Sequence, residues 1–398
     1  MALEQLKAEV CAAVDRMRDE LIRVSRAIHA RPELAFQEVE AARLLTEALR
    51  AAGLSVEQPA YGLETAFVAR FGAEGEPAVA LLAEYDALPE IGHACGHNLI
   101  ATAALGAGLA LAELGERLPA HIHVLGTPAE EKGAGKELLA QGGAFEGIDA
   151  AMMVHPSGVN LISMPCIAVA EVDVVFEGRA AHASAMPERG INALDAMMIA
   201  YQSIAALRQH IRVTERIHGI ITDGGRAPNI VPERAAGTFY VRARNADELA
   251  PLKERVAACF RAGAEATGAR LALAWSPADY LELRDATPLA EAYQRNAERL
   301  GREFFPIDKL PAGIQGSTDM GNVSHRVPSI HPMIAAAPPH VLVHNAEFAH
   351  YAGSPSGDAA AIDGAKALAM TALDFACDAD LRQRTRAVFE RVNGRFET

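Results

Sequence analysis

The residues best suited to chemistry are one cysteine, two histidines and two adjacent glutamates within the first 160 positions. They are Cys95, His97, Glu130, Glu131 and His155. Thiolate, imidazole and carboxylate ligands together suit zinc or a similar divalent ion better than magnesium or calcium. A glutamate that stands beside a ligand without being one can serve a metal hydrolase as its general base. These residue types therefore indicate a metal-dependent hydrolase.

Each of these residues also has a purely structural explanation. Cys95 lies between Ala94 and Gly96, and a lone cysteine commonly behaves as a small buried apolar side chain. His97 precedes a helical pattern and could cap it, and His155 could be a hydrogen-bonded core histidine. The two glutamates could be a solvated pair in a loop. Whether these residues do chemistry therefore depends on where the chain brings them together.

Strands and helices alternate over the first 160 residues. The apolar runs that predict buried strands are 65–71, 78–86, 121–128 and 150–156, and helical patterns cover 35–52 and 99–117. This order predicts an α/β layer architecture with a mostly parallel sheet. Asp86, the glutamate pair and His155 all fall at the carboxyl ends of predicted strands. Ligands bind at that edge of an open α/β sheet.

The order of elements changes near residue 167. Strand, helix, strand, strand, helix and strand follow one another over about 110 residues, which is the ferredoxin-like pattern. The two helices are predicted near 190–210 and at 246–267. We therefore predict a catalytic α/β domain in two pieces, 1–166 and 281–398. A smaller domain, 167–280, is inserted between them.

Composition limits the classes of partner. The chain has 398 residues and a formal net charge of −14, which argues against nucleic acid or an anionic membrane as its main partner. The apolar run that starts at Leu99 is too short to cross a bilayer. The N-terminal sequence has the spacing of an amphipathic helix rather than of a secretory signal. Five scattered cysteines form no pairing pattern, so we predict a cytoplasmic protein.

Seven stretches resemble the amidohydrolase branch of the di-metal aminoacylase and carboxypeptidase family. They are IHARPELAFQE, EYDALPEIGHACGHN, GTPAEEKGAGK, MMVHP, GRAAHAS, PNIVPE and STDMGNVSH. Their order and spacing match over nearly the whole chain. The branch includes hippurate hydrolase, indole-acetyl-amino-acid hydrolases, p-aminobenzoyl-glutamate hydrolases and β-alanyl-lysine dipeptidases, and the last two resemble this sequence most.

The resemblance implies two divalent ions in each subunit and a glutamate base, Glu130. The implied metal ligands are Cys95, His97, Glu131, His155 and a histidine near the C-terminus. Zinc is the favoured ion, with manganese or cobalt as alternatives. His344 in HNAEF matches the family position of the last ligand, before a small loop and the final long helix, which is predicted near 357–376. His340 and His350 are the alternatives.

Three further residues receive roles from the resemblance. Asp86 matches a strand-end aspartate that orients a metal-binding histidine, although an aspartate in this context could also cap a helix or turn. The resemblance also implies that the inserted domain acts in dimerisation or as a lid. His182 and Asn229 match positions that reach the metal centre across a dimer interface and hold the developing oxyanion. Asn229 could equally be an ordinary turn former.

The predicted function is hydrolysis of the amide bond of N-acyl amino acids or dipeptide-like molecules. A metal-activated water would attack, with Glu130 as the general base, in a homodimer. One alternative is a deacylase of a non-peptide aromatic amide or small metabolite. A second is an inactive binding protein on the same fold, which predicts a damaged ligand set. The ligand types and both glutamates are present, so hydrolysis is favoured.

Overall fold

The computed structural model describes residues 3–310 and 314–394. Contacts within the chain divide it into two compact units, and each has its own hydrophobic core. The smaller unit is Cys166–Glu282, and the larger is formed by the stretches before and after it. The predicted insertion, 167–280, starts one residue later and ends two residues earlier than this unit.

The stretch before the small unit alternates helices with strands. Its helices are α1 (Leu3–Arg16), α2 (Arg18–Ala30), α3 (Val39–Ala51), α4 (His97–Ala112) and α5 (Gly135–Gln141). Its strands are β1 (Val56–Glu57), β2 (Phe67–Gly72), β3 (Ala78–Ala83), β4 (His121–Gly126), β5 (Ala150–Met152) and β6 (His155–Ser157). The single strand predicted over 150–156 is therefore two short strands.

The small unit has the predicted ferredoxin-like order. Its elements are β7 (Ala168–Glu177), α6 (Ala193–Leu207), β8 (Arg216–Asp223), β9 (Arg234–Ala243), α7 (Ala246–Thr267) and β10 (Arg270–Trp275). The strands form one antiparallel sheet in the order β10-β7-β9-β8. Val172, Val174 and Phe176 alternate along β7 and share a buried core with Ala196 of α6 and Phe260 of α7.

The stretch after the small unit completes the larger one. Its elements are α8 (Thr287–Arg299), α9 (Met320–Ser324), β11 (Ser329–Ile330), β12 (Met333–Ala335), α10 (Ala346–Ala352), α11 (Pro355–Cys377) and α12 (Ala379–Val392). The sequence predicted a helix near 357–376 as the last one, so α12 is an addition. Strand β11 pairs with β5, and β12 pairs with β6.

The sheet of the larger unit is mixed. Its strand order is β1-β2-β4-β3-β5-β11. The pairs β4–β3, β3–β5 and β5–β11 are parallel, whereas β1–β2 and β2–β4 are antiparallel. The predicted fold class, an α/β domain with a mostly parallel sheet and an inserted ferredoxin-like domain, is confirmed. The antiparallel pairs involve β1 and β2, which the alternation of elements alone does not orient.

Helix α4 is buried along nearly its whole length. Every residue from His97 to Leu111 is buried, because the helix has no charged side chain and packs between the sheet and α11. Burial on all sides fixes the position of its first residues, which include His97. Within the described ranges, no helix is long and apolar enough to cross a membrane.

Candidate metal centre and active site

Buried carboxylates collect at the carboxyl ends of neighbouring parallel strands. Glu84 and Asp86 follow β3 and are 0% and 1% exposed. Strand β4 is parallel to β3 and leads into the loop that carries Glu130 and Glu131. His155 starts β6, shortly after β5. The predicted edge of the sheet is therefore where the structure brings these groups together.

Asp86 fixes the orientation of the buried His97 ring. One Asp86 oxygen lies 2.9 Å from His97 Nδ1, and the other accepts a 2.8 Å hydrogen bond from the Glu131 backbone N–H. Burial alone would raise the pKa of Asp86, but the His97 ring, the Glu131 N–H and Lys136 together outweigh burial and keep that pKa below its usual value. The ionised carboxylate accepts the Nδ1 proton, so Nε2 is the ring nitrogen that would bind a metal ion once its own proton is displaced.

A left-handed residue makes the turn between Cys95 and His97. Gly96 has a φ of 80°, a conformation that glycine adopts at little cost. A Cβ atom at this position would lie 2.6 Å from Cγ of Pro156. Glycine is therefore required both for the turn and for the close approach of the His155–Pro156 segment to the start of α4.

Two sets of possible metal ligands share the sulfur of Cys95. The first set is Cys95, His97 and His155, and the second is Cys95, Glu131 and His344. In each set the ligand atoms lie within 4.8 Å of one another. Cys95 Sγ is 3.3 Å from His155 Nε2, and His344 Nε2 is 3.5 Å from Glu131 Oε1. Because the Cys95 sulfur belongs to both donor sets, it is placed to bridge two metal ions.

The protonation states of these residues depend on burial and on their neighbours. Burial would lower the pKa of His97, but Cys95 and Asp86 outweigh burial and raise it well above its usual value, so an ion at Nε2 would displace a proton. His97 Nε2 is buried and has no hydrogen-bond partner among the described residues. Burial lowers the pKa of His155 to about 4, so its imidazole is neutral, which is the form that binds metals. Burial, followed by the Glu131 carboxylate, raises the pKa of the Cys95 thiol. A thiolate there needs an adjacent positive charge, and a zinc-type ion would supply it.

Glu130 lies beside the two donor sets but belongs to neither. Its Oε2 atom is 3.8 Å from His97 Nε2, and the side chain is buried. Burial, and then the neighbouring Glu84 and Glu131 carboxylates, raise the pKa of Glu130 well above its usual value. A carboxylate with a raised pKa is better suited to take up and release a proton near neutral pH.

The loop before α5 holds Glu130 and Glu131 through its backbone. Ala129 and Ala134 on either side of them have φ values of 61° and 53°, which is unusual for residues other than glycine. The buried Glu38 carboxylate accepts a 2.8 Å hydrogen bond from the Ala129 N–H. The Asp86 carboxylate accepts a hydrogen bond from the Glu131 N–H in the same way. The two buried carboxylates, Glu38 and Asp86, therefore support this strained segment.

Of the three C-terminal histidines, the structure brings His344 to the donor sets. Its backbone N–H donates a 2.8 Å hydrogen bond to the Ala94 carbonyl, which ties its loop to the segment before Cys95. His350 lies in α10 with its ring against Tyr351, and His340 is exposed. Neither belongs to a ligand set among the described residues.

His182 and Asn229 lie on adjacent loops of the small unit. The Ala183 N–H donates a 3.0 Å hydrogen bond to the Asn229 carbonyl. His182 Nδ1 accepts a 3.3 Å hydrogen bond from the Ala185 N–H, and both His182 and Asn229 are exposed. The small unit thus presents the two side chains together, and their action at the metal centre stays a prediction.

Sequence reasoning missed a buried ion-pair network beside the metal centre. Lys136 is fully buried, and its Nζ lies 2.5 Å from both Glu84 and Asp319. Burial would lower the pKa of Lys136, but Asp319, Glu84 and Glu130 outweigh burial and raise it. The sequence did contain a signal for Glu84, because acidic residues flank Tyr85 at the end of a strand, where ligands bind. A lysine is ordinarily exposed, so nothing in the sequence indicated Lys136.

The sequence comparisons agree with this fold and site. Residues 80–373 match Peptidase family M20/M25/M40. The Xaa-Arg dipeptidase of Mus musculus is 42% identical over 98% of this chain and 93% of its own length. One of the subunits of the p-aminobenzoyl-glutamate hydrolase of Escherichia coli is 33% identical over 62% of this chain and 55% of its own length.

Solved structures share the fold at lower identity. The aminobenzoyl-glutamate utilization protein of Klebsiella pneumoniae matches with a TM-score of 0.72 at 18% identity, over 91% of this chain and 97% of that one. A dinuclear metal binding peptidase of Bacillus subtilis matches with a TM-score of 0.63 at 20% identity, over 91% and 99% of the two chains. The family match and the relatives together define a hydrolase that acts on amide or peptide bonds. The chain belongs to Peptidase family M20/M25/M40, and the predicted resemblance is confirmed.

Proposed function

We propose that this protein is a metal-dependent dipeptidase or N-acyl amino acid hydrolase that binds two divalent ions. The observation that carries the proposal is the pair of donor sets that share Cys95, with Glu130 beside them. Cys95, His97 and His155 would hold one ion, and Cys95, Glu131 and His344 the other. Zinc is favoured by the sulfur and imidazole donors, with manganese or cobalt as alternatives.

The bound ions would supply Lewis-acid activation of the scissile carbonyl and of the attacking water. Glu130 takes the proton from that water and delivers it to the leaving amine. Its raised pKa supports the first step, because a group that is too acidic would not accept the proton. Asp86 keeps His97 in the tautomer that presents Nε2 to the ion.

The small unit is proposed to form a homodimer and to supply His182 and Asn229 as donors to the developing oxyanion. Strand β8 stands at the edge of its sheet, and Ile220 and Ile221 on it are 65% and 38% exposed. Met198 and Ile199 of α6 are exposed as well. An edge strand with exposed apolar residues is typical of a surface that another chain covers.

A dipeptide that ends in arginine is the first substrate to test, because Xaa-Arg dipeptidases match this chain at 40–42% identity over 98% of its length. The relatives named p-aminobenzoyl-glutamate hydrolase and N-acetyl-L-cysteine deacetylase support two further assays. The protein should be assayed on Xaa-Arg dipeptides, p-aminobenzoyl-glutamate and N-acyl amino acids.

The assays should be repeated after chelation and after zinc or manganese is added back. We expect hydrolysis of at least one amide class, loss on chelation and recovery with added metal. An aromatic amide as the best substrate would favour the deacylase alternative. A metal-loaded protein that binds these compounds but hydrolyses none would favour the inactive binding protein.

A further inference from the structure

Lys136 places a buried positive charge next to the metal centre. Its Nζ lies 2.5 Å from Asp319 Oδ1, and the other Asp319 oxygen accepts a 2.8 Å hydrogen bond from the Lys136 backbone N–H. One carboxylate therefore fixes both the backbone and the ammonium group of this residue. The ammonium group also lies 2.5 Å from Glu84 Oε1.

Glu84 connects this ammonium group to the proposed metal ligands. Its other oxygen, Oε2, lies 3.6 Å from His97 Nε2, the atom that we assign to a metal ion. Glu84, His97 and Glu130 form a third group whose ligand atoms lie within 4.8 Å of one another. The centre therefore contains a rival donor set, rich in carboxylate, that also uses His97.

We propose that Lys136 is a positioning residue that withholds Glu84 from the metal ions and so favours the two donor sets that share Cys95. This inference rests on the proposed function. An ammonium group 2.5 Å from a Glu84 oxygen competes with any ion for that oxygen and repels a second cation nearby. Without the ammonium group, Glu84, His97 and Glu130 would offer an ion two carboxylates and one imidazole.

The donor sets that share Cys95 and the rival set with Glu84 should prefer different metals. Sulfur and imidazole donors select zinc, whereas carboxylate donors suit manganese better. Loss of Lys136 should therefore shift the preference of the centre from zinc towards manganese. A residue that only stabilises the fold would weaken both ions together and would leave their ratio unchanged.

The test is a competition between zinc and manganese on the metal-free full chain, with bound metals counted by elemental analysis. Lys136→Met should change the zinc-to-manganese affinity ratio by about tenfold or more in favour of manganese, the size of effect typical of residues behind the ligands. Lys7→Met is the matched control. Lys7 is also buried and lies 2.5 Å from Asp374 Oδ1, and neither residue belongs to a ligand set among the described residues. The zinc-to-manganese affinity ratio of Lys7→Met should equal that of the wild type.

A double variant keeps the proposal testable if Lys136→Met alone does not fold. Glu84→Gln combined with Lys136→Met removes the Glu84–Lys136 ion pair and keeps the net charge of the network, while the backbone N–H of residue 136 can still donate to Asp319. The double variant should therefore fold and return the metal ratio towards the wild-type value. An unchanged ratio in folded Lys136→Met would overturn the inference, as would a double variant with a manganese-shifted ratio. If the wild type itself binds neither ion, the proposed function fails, and the inference fails with it.

Discussion

Two adjacent glutamates have different surroundings and therefore different expected roles. Glu131 faces His344 and shares a donor set with Cys95. Glu130 faces Glu84 and His97, and its pKa is raised by burial and by the surrounding carboxylates. The two side chains of this dipeptide therefore have different surroundings, which suit the proposed ligand role of Glu131 and the proposed proton-transfer role of Glu130.

Replacing Glu130 with glutamine tests this separation. We expect Glu130→Gln to lower kcat by roughly two to four orders of magnitude, because the amide cannot take the proton of the attacking water. Metal content, measured by elemental analysis, should stay at the wild-type level. The control is Glu131→Gln, which should lower the metal content itself. Near-normal turnover in a folded, metal-loaded Glu130→Gln would disprove the assignment.

The residues that the sequence could reveal are those whose types and motifs imply chemistry. Cys95, His97 and His155 were predicted in this way, and the structure brings them together. Lys136 could not be predicted, because its burial depends on Asp319, which is 183 residues away in sequence. The type of a residue shows which chemistry it can do. Whether it is buried beside a site depends on contacts with residues far away in the sequence.

At the scale of elements, the turn before α4 determines how the centre is assembled. Gly53 and Gly96 have nearly the same φ, 81° and 80°, but a Cβ at Gly53 would have no neighbour within 4 Å. Both alanine variants incur the cost of a left-handed alanine, about 1 kcal/mol. Gly96→Ala must also displace Pro156, so it should lower the unfolding free energy by about 1–3 kcal/mol more than Gly53→Ala does.

Urea unfolding of the two variants provides the measurement, and metal affinity provides a second one. Gly96→Ala should also weaken metal binding, since it moves Cys95 relative to His155. Gly53→Ala should leave metal binding unchanged. Equal stability losses in the two variants, with equal metal affinity, would show that the approach of Pro156 to Gly96 has no energetic importance.

Glu38 links the start of α3 to the loop that carries the glutamate pair. Its carboxylate is buried and accepts hydrogen bonds from the Ala129 N–H and from Thr65 Oγ1. Burial raises the pKa of Glu38 from 4.5 to about 7. The folded state therefore holds this proton more tightly than the unfolded chain does. The resulting stability is complete below about pH 4 and is lost as the pH rises through about 7.

We expect Glu38→Gln to remove this part of the pH dependence, because glutamine does not titrate. The shift corresponds to roughly 3 kcal/mol, so the difference in unfolding free energy between wild type and variant should change by up to that amount between about pH 5 and about pH 8. Urea unfolding of the metal-free protein at the two pH values measures it. A difference that stays constant across this range would contradict the raised pKa.

Element positions were predicted well where periodicity was strong, and less well where pairing partners were distant. Helix α7 was predicted over 246–267 and found over the same residues. The strand predicted over 150–156 is split, because β5 pairs with β3 and β11 whereas β6 pairs with β12. Strands β11 and β12 follow much later in the chain, so local sequence could not reveal the division.

At the scale of the whole molecule, the proposed dimer predicts that two inactive variants can complement each other, which catalysis within a single chain does not predict. If His182 acts in the partner's site, mixing inactive Glu130→Gln with inactive His182→Ala should restore activity. In such a heterodimer, one site has both an intact Glu130 and an intact His182. We expect up to about a quarter of wild-type activity, because half of the dimers are mixed and one of their two sites is intact.

The measurement is turnover after the two variants are unfolded and refolded together, with heterodimers confirmed by two different affinity tags. Each variant refolded alone is the control. If confirmed heterodimers stay inactive, His182 acts within its own chain or has no role in catalysis. The order of the two domains was predictable from the pattern of elements, but a partner chain leaves no such pattern.

The central claim is that two ions share Cys95, and anomalous diffraction from crystals grown with zinc tests it most directly. We predict two anomalous peaks on either side of Cys95 Sγ. His97 and His155 should coordinate one ion, and Glu131 and His344 the other. A single ion held by Glu84, His97 and Glu130, or ions that do not contact Cys95, would contradict this claim.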